Sequence, residues 1–209
     1  MIVFILGVYR SGTSILGDLV SSFKDVVYWY EPFWLRKEWA GKYINGSISN
    51  SEKEVLRNTV FSRSKYHIVI KSPAYTGAVL LLADIFPNAK FLYIHRDPEL
   101  VARSILKFTW WDKIEEPEDY YAIPLEKIAE FEKGTPFEKA YILRRSLHEK
   151  LLRDSEFIID RVMIFSHEDL LRSPGKMTSD ISEFLGIETS HDTKRVIETV
   201  YNPEIKRGT

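Results

Sequence analysis

Near its N-terminus the chain reads G-V-Y-R-S-G-T-S, from Gly7 to Ser14, with two glycines bracketing four residues and a hydroxyl closing the run. The phosphate-binding loop of NTPases has the form G-x-x-x-x-G-K-[ST]. Here Thr13 occupies the lysine position. A loop of this kind turns backbone N–H groups into one concavity at a helix N-terminus, where an anion is favoured, and glycine lets the backbone turn sharply and approach an oxyanion. Arg10 and the hydroxyls of Ser11, Thr13 and Ser14 add charge and donors around Gly12. In NTPases the lysine reaches the β and γ phosphates while the hydroxyl holds magnesium. Without that lysine the cradle survives, but γ-phosphoryl transfer is disfavoured.

Three further positions carry chemistry. In F-L-Y-I-H-R-D-P, Arg96 stands at the end of an apolar run and Ser104 follows eight residues on, about two helical turns into the next segment. A guanidinium binds phosphate bidentately and a serine hydroxyl supplies one more donor. Taken alone, the same residues also suit a surface turn in which Asp97 caps the helix and Arg96 pairs with a carboxylate. In V-V-Y-W-Y-E-P-F-W, Glu31 closes another apolar run beside Trp29, Tyr30 and Trp34, a desolvating setting that suits a carboxylate asked to accept a proton. Lys71 ends H-I-V-I-K, in the crevice where open α/β sheets bind ligands. Tryptophans 29, 34, 39, 110 and 111 fall in two regions that would border an organic substrate. The five histidines show no metal-like spacing, and the absence of cysteine excludes disulfides and thiolate metal sites. No metal is expected.

The elements that must position these groups follow from apolar patterning. Ile2 to Leu6, Val26 to Tyr30, Ile68 to Ile70, Phe91 to His95 and Val162 to Phe165 are short and mostly continuous, as in strands covered on both faces. Helical periodicity marks Ser14 to Phe23, Ala78 to Phe86, Pro98 to Phe108, Pro136 to Arg153 and Pro174 to Leu185, the last ended by Gly186. Within the fourth, R-R-S-L-H-E-K-L-L-R reads as a charged solvent face. Strand and helix alternate, which predicts an α/β three-layer sandwich with a central parallel sheet of about five strands. The 209 residues fit one domain, 1–209, with polar or irregular insertions at about 42–63 and 109–136 that suit lids or substrate loops.

The formal net charge of −1 gives no global attraction to nucleic acid or an anionic membrane, so phosphate binding must be local. M-I-V-F-I-L is too short for a signal segment, no window spans a bilayer, and the lack of cysteine fits a cytoplasmic setting.

The stretch Y-R-S-G-T-S resembles the 5′-phosphosulfate loop of sulfotransferases that use 3′-phosphoadenosine 5′-phosphosulfate (PAPS), in which Lys or Arg precedes S-G-T-[ST]. The resemblance implies a fold of the P-loop nucleotide-kinase type, PAPS as co-substrate and no metal. It places Arg10 opposite the bridging and sulfuryl oxygens, with Ser11, Gly12, Thr13 and Ser14 lining the loop. Arg96 and Ser104 match the family's 3′-phosphate motif in residue type and separation. The tail I-K-R-G-T is similar to the R-K-G segment that closes over the 3′ phosphate in cytosolic members, so Lys206, Arg207 and Gly208 are candidates, although the longer form of that motif is absent. Cytosolic members carry a catalytic histidine in K-T-H. Here Lys71-Ser72-Pro73 puts proline in its place, which excludes that base. Glu31 and its E-P pair are similar to the carbohydrate and protein-tyrosine type, which implies Glu31 as base, with Lys71 helping Arg10 to neutralise the leaving group. F-S-H-E-D-L-L resembles a scaffold segment in which Glu168 and Asp169 cap a helix. The implied acceptor is a small molecule or, first, a carbohydrate. Two other classes fit the residues: a P-loop kinase, which would require ATP and magnesium, and a nucleotide-binding module without catalysis.

Overall fold

The structure, a computed structural model, describes residues 1–32, 39, 42–43, 46–61, 66–107, 123 and 125–200. Five strands, β1 (Ile2–Leu6), β2 (Val26–Tyr30), β3 (His67–Lys71), β4 (Lys90–His95) and β5 (Val162–Ser166), form one sheet in the order β2-β3-β1-β4-β5, and every pairing is parallel. The fold is α/β, as the alternation predicts. All five expected strands are present, with β3, β4 and β5 one or two residues longer than their apolar runs.

The central strand shows why the runs are continuous rather than alternating. Val3 and Ile5 pack on one face against Leu16, Leu19 and Val20 of α1 (Thr13–Ser21) and against Ile181 of α8 (Pro174–Leu185). Phe4 and Leu6 pack on the other face against Val79, Leu82 and Ile85 of α3 (Val79–Ile85) and Leu151 of α6 (Pro136–Ser155). A strand covered on both sides has no polar face. Burying each of these side chains contributes roughly 1.5–3 kcal/mol before entropy is counted.

Helix ends follow local chemistry. Asp97 accepts from the Leu100 N–H at 2.9 Å and Pro98 opens α4 (Pro98–Ile105). Thr135 and Glu138 form a reciprocal capping box at the start of α6. Gly186 ends α8 in the left-handed region, φ +70°.

Three expectations need correction. The stretch from Pro73 to Ala78 is a 3-10 turn that runs into α3, so helical backbone begins earlier than periodicity indicates. The polar stretch 42–63 includes an ordered helix, α2 (Asn50–Phe61), which buries Leu56 and Val60 and is tied to α3 by Lys53–Asp84 at 2.7 Å and to the Ile85 carbonyl by Arg57. The stretch 109–136 includes α5 (Leu125–Lys133). The polar composition reflects helices docked by one narrow stripe.

The close approach of α1 to the sheet rests on Gly17. A Cβ there would stand 2.1 Å from the Tyr28 hydroxyl, which is buried without a hydrogen-bond partner among the described residues. Burial raises the pKa of this phenol and keeps it protonated. Gly17→Ala is expected to destabilise by about 1–3 kcal/mol through overpacking. Tyr28→Phe, which removes an unsatisfied group, should be neutral or stabilising in the same denaturant titration.

Candidate active site

Every strand delivers a polar residue to the C-terminal edge of the sheet, the side on which open parallel sheets bind ligands. Between β1 and α1 the loop makes a tight reversal. The N–H and hydroxyl of Ser11 both donate to the Val8 carbonyl, at 3.0 and 2.6 Å. The hydrogens of Ser11 are therefore used within the loop, and its contribution is to shape the turn. Gly12 caps α1 in the left-handed region at φ +100°, and a Cβ on it would meet the His167 ring at 2.4 Å. The first-turn N–H groups of Thr13 and Ser14 have no intrahelical acceptor and open toward the loop. Thr13 is buried. Arg10 also has a left-handed backbone, φ +72°, and is exposed.

The buried N–H of Gly7 donates to the Thr76 hydroxyl at 3.0 Å. Sequence reasoning missed Thr76, which lies in the 3-10 turn after β3 and is fully buried. A hydroxyl at a helix-like start after a strand was the signal available.

At the next strand pair, register brings Tyr30 beside Lys71. Lys71 is only 3% exposed, and its Nζ donates to Glu31 Oε1 at 2.5 Å and lies 3.9 Å from the centre of the Tyr30 ring. The Glu31 N–H donates to the Lys71 carbonyl at 3.1 Å, so the two residues are tied through backbone and side chain. Glu31 is itself left-handed at φ +40°, a conformation that costs free energy in a non-glycine residue and is sustained by these contacts. The Tyr30 phenol is held below its ordinary pKa by hydrogen bonding first to Lys71 and then to Ser14. Tyr30 thereby links the Glu31–Lys71 pair to the glycine loop. Asp18 of α1 is raised by burial, against an opposing pull from Lys71.

On the other side of β1, Arg96 follows β4. Its Nη1 donates to the Arg10 carbonyl at 3.4 Å, and Arg10 Nε donates to Ser104 Oγ at 3.1 Å. Arg10, Arg96 and Ser104 thus form one connected group. Glu168 approaches Arg96 Nε only to 4.0 Å, and that Nε is buried with no hydrogen-bond partner among the described residues. The helix after β5, α7 (His167–Arg172), is capped by Ser166, which accepts from the Asp169 N–H at 2.9 Å and donates to its carboxylate at 2.6 Å. Ser166, rather than Glu168 or Asp169, is the cap, and Glu168 faces Arg96 instead.

The structure therefore brings together Arg10, Ser11, Gly12, Thr13, Ser14, Glu31, Lys71, Arg96 and Ser104. Lys206, Arg207 and Gly208 lie outside the described residues, as do Trp34, Trp110 and Trp111. Trp39 is buried in the core rather than lining the site, and Trp29 packs against the same cluster. Among the described residues no group of three His, Asp or Glu could hold a metal ion.

The sequence matches the family model described as "Sulfotransferase family" over residues 3–191. The chain belongs to the sulfotransferase family. No curated protein matches the chain in sequence. Solved structures with the same fold include the sulfotransferase domain from the curacin biosynthetic pathway, with a TM-score of 0.64, 15% identity, 91% of this chain and 75% of that one covered. A sulfotransferase from Alicyclobacillus acidocaldarius superposes with a TM-score of 0.57 at 20% identity, covering 98% and 92%. A mouse sulfotransferase complexed with PAP does so with a TM-score of 0.56 at 14% identity, covering 100% and 67%. The family's chemistry is sulfuryl transfer, and none of the helices among the described residues is long and apolar enough to cross a membrane.

In this sulfotransferase-family loop the buried Gly7–Thr76 hydrogen bond is a testable support. Thr76→Val keeps the shape but orphans the Gly7 N–H. It should lower unfolding stability by about 1–3 kcal/mol and weaken inorganic sulfate binding in calorimetry. Unchanged stability would show that the bond does not hold the loop.

Proposed function

We propose that the protein transfers the sulfuryl group of PAPS to a hydroxyl of an organic acceptor, a carbohydrate first among them, with Glu31 as general base. The observation that carries this reading is the Arg96 guanidinium. It stands beside the glycine loop, joined to Arg10, with a buried Nε that lacks a hydrogen-bond acceptor among the described residues. An orphaned cationic donor next to an anion cradle fits a nucleotide with a second phosphate, such as the 3′ phosphate of PAPS, better than ATP. The PAP held by the mouse relative is consistent with a bisphosphate of this kind.

PAPS supplies an activated sulfuryl group whose leaving group is the 5′-phosphate of the nucleotide. Around it, the N–H groups of Thr13 and Ser14 with Arg10 hold the 5′ end, while Arg96 and Ser104 hold the 3′ phosphate. Lys206, Arg207 and Gly208 belong to this proposal as further nucleotide contacts. Glu31 takes the proton of the acceptor hydroxyl as its oxygen bonds to sulfur and the bond from sulfur to the bridging oxygen breaks. The negative charge that collects on the bridging oxygen is met by Lys71 and Arg10. Lys71 has the reach to change partners, since its only described anionic contact is Glu31. When Lys71 turns toward the leaving oxygen, the Glu31 carboxylate is freed for the acceptor. The reading includes one domain over 1–209, a cytoplasmic setting and no metal requirement.

Two measurements test it. Adenosine 3′,5′-bisphosphate is expected to raise the melting temperature without metal, by more than AMP does; stabilisation only by ATP with magnesium would favour a kinase instead. Glu31→Gln is expected to lower kcat for sulfuryl transfer by roughly 10²–10⁴-fold while leaving bisphosphate binding nearly intact. Retained turnover in that variant would remove Glu31 from the base role.

A further inference from the structure

Along α6, Tyr141, Arg144, His148 and Leu151 recur at helical spacing. The charged run that begins at Arg144 reads as a solvent face, yet Arg144 is only 6% exposed. Its Nη2 donates to the backbone carbonyl of Arg96. Among the described residues no carboxylate forms an ion pair with it; Asp97 and Glu168 act on it only at longer range. Burial is the first cause that lowers its pKa, as expected for a cation held away from water.

The groups around Arg144 do not compensate it. The Tyr93 hydroxyl and His148 Nδ1 are 2.5 Å apart, and the His148 ring lies 5.2 Å from that of His95. Burial raises the Tyr93 phenol, which keeps its proton. Burial, and after it Arg144, lowers both histidines, His148 to about 4. Both rings are therefore neutral near pH 7, and Arg144 is the one charge in the cluster. A buried cation without a counter-ion is costly unless an anion arrives to share it. The same backbone unit carries the orphaned Arg96 Nε.

We propose that Arg144 is a positioning residue for the phosphate bound at Arg96. Its hydrogen bond to the Arg96 carbonyl fixes the strand-to-helix backbone from which the Arg96 side chain projects, and its uncompensated charge strengthens the attraction for a dianion there. This rests on the assignment of a 3′ phosphate to Arg96.

Calorimetric titration with adenosine 3′,5′-bisphosphate and with AMP tests it on four proteins: wild type, Arg144→Met, Arg144→Lys and Arg96→Ala. Arg144→Met is expected to weaken the bisphosphate about tenfold or more and AMP less than twofold, whereas Arg144→Lys, which keeps the charge and a donor, recovers part of the difference. The double variant Arg96→Ala/Arg144→Met should lose less than the product of the single losses, because one residue acts through the other. The ratio of the two affinities, measured on one sample, is insensitive to partial loss of folded protein, and Arg144→Lys gives a second reading if the methionine variant folds poorly. Equal losses for both nucleotides, an unchanged ratio, or multiplicative single losses would overturn the proposal. A wild type that does not distinguish the bisphosphate from AMP would instead overturn the 3′-phosphate assignment itself.

Discussion

Between Leu6 and Thr13 the backbone passes from the buried end of β1 to the buried first residue of α1, with positive φ at Gly7, Arg10 and Gly12. The reversal is packed from both sides: Ile94 and Ser11 crowd Gly7, while His167 crowds Gly12. Backbone polar groups in such a place must be paired or directed to a ligand. The Gly7 N–H is answered by Thr76, the Ser11 N–H by Val8 and the Leu16 N–H by Gly12, which leaves the N–H groups of Thr13 and Ser14 at the helix start without an intrahelical acceptor. The anion cradle is thus what remains after the turn has satisfied itself. The residues around it, from β3 to α7, are placed by the need to pack that turn.

The electrostatics follow the same logic. The chain is nearly neutral, yet Arg10, Lys71, Arg96 and Arg144 gather at one edge of the sheet. Two of them are buried, and burial sharpens their demand for anions because the surrounding medium is less polar than water. Lys71 meets this demand inside the protein, through Glu31 and the Tyr30 ring. Arg144, among the described residues, meets it with the Arg96 carbonyl dipole and, at longer range, Asp97 and Glu168. That asymmetry divides the edge into a side that is complete as it stands and a side that calls for a ligand.

The sequence made the sheet legible because burial on both faces writes itself as unbroken apolar runs, and it made α8 legible through Pro174 and Gly186. Gly12, Arg96 and Glu31 were legible as site candidates because each ends or follows a strand, where residue type and element boundary coincide. What stayed hidden depends on three-dimensional neighbours. Asn50–Phe61 reads as irregular because its polar residues outnumber Leu56 and Val60, which face the core, although Ser49 and Glu52 already spell its capping box. Arg144 was hidden in a charged run, since charge was taken to mean solvent. The pairing of Lys71 with Glu31, 40 residues apart, depends on β2 and β3 being neighbours in register. The solved relatives share this fold at 14–20% identity, which fits an architecture set by burial pattern and turn geometry more than by particular core residues.

The Lys71–Glu31 contact carries a consequence for the order of events. Under the proposed function one ammonium group serves either the Glu31 carboxylate, as proton acceptor, or the oxygen that leaves with charge. While it holds Glu31, the carboxylate is engaged and its left-handed backbone is locked by the same pair of residues. A second anion arriving in the glycine loop competes for the ammonium through Tyr30 and Ser14, which already touch both parts of the site. If Glu31 is the base, as proposed, nucleotide binding precedes its release, and a site without nucleotide holds the Glu31 carboxylate in the ion pair. Such a coupling needs no moving domain, only a lysine whose two partners lie within the swing of one side chain.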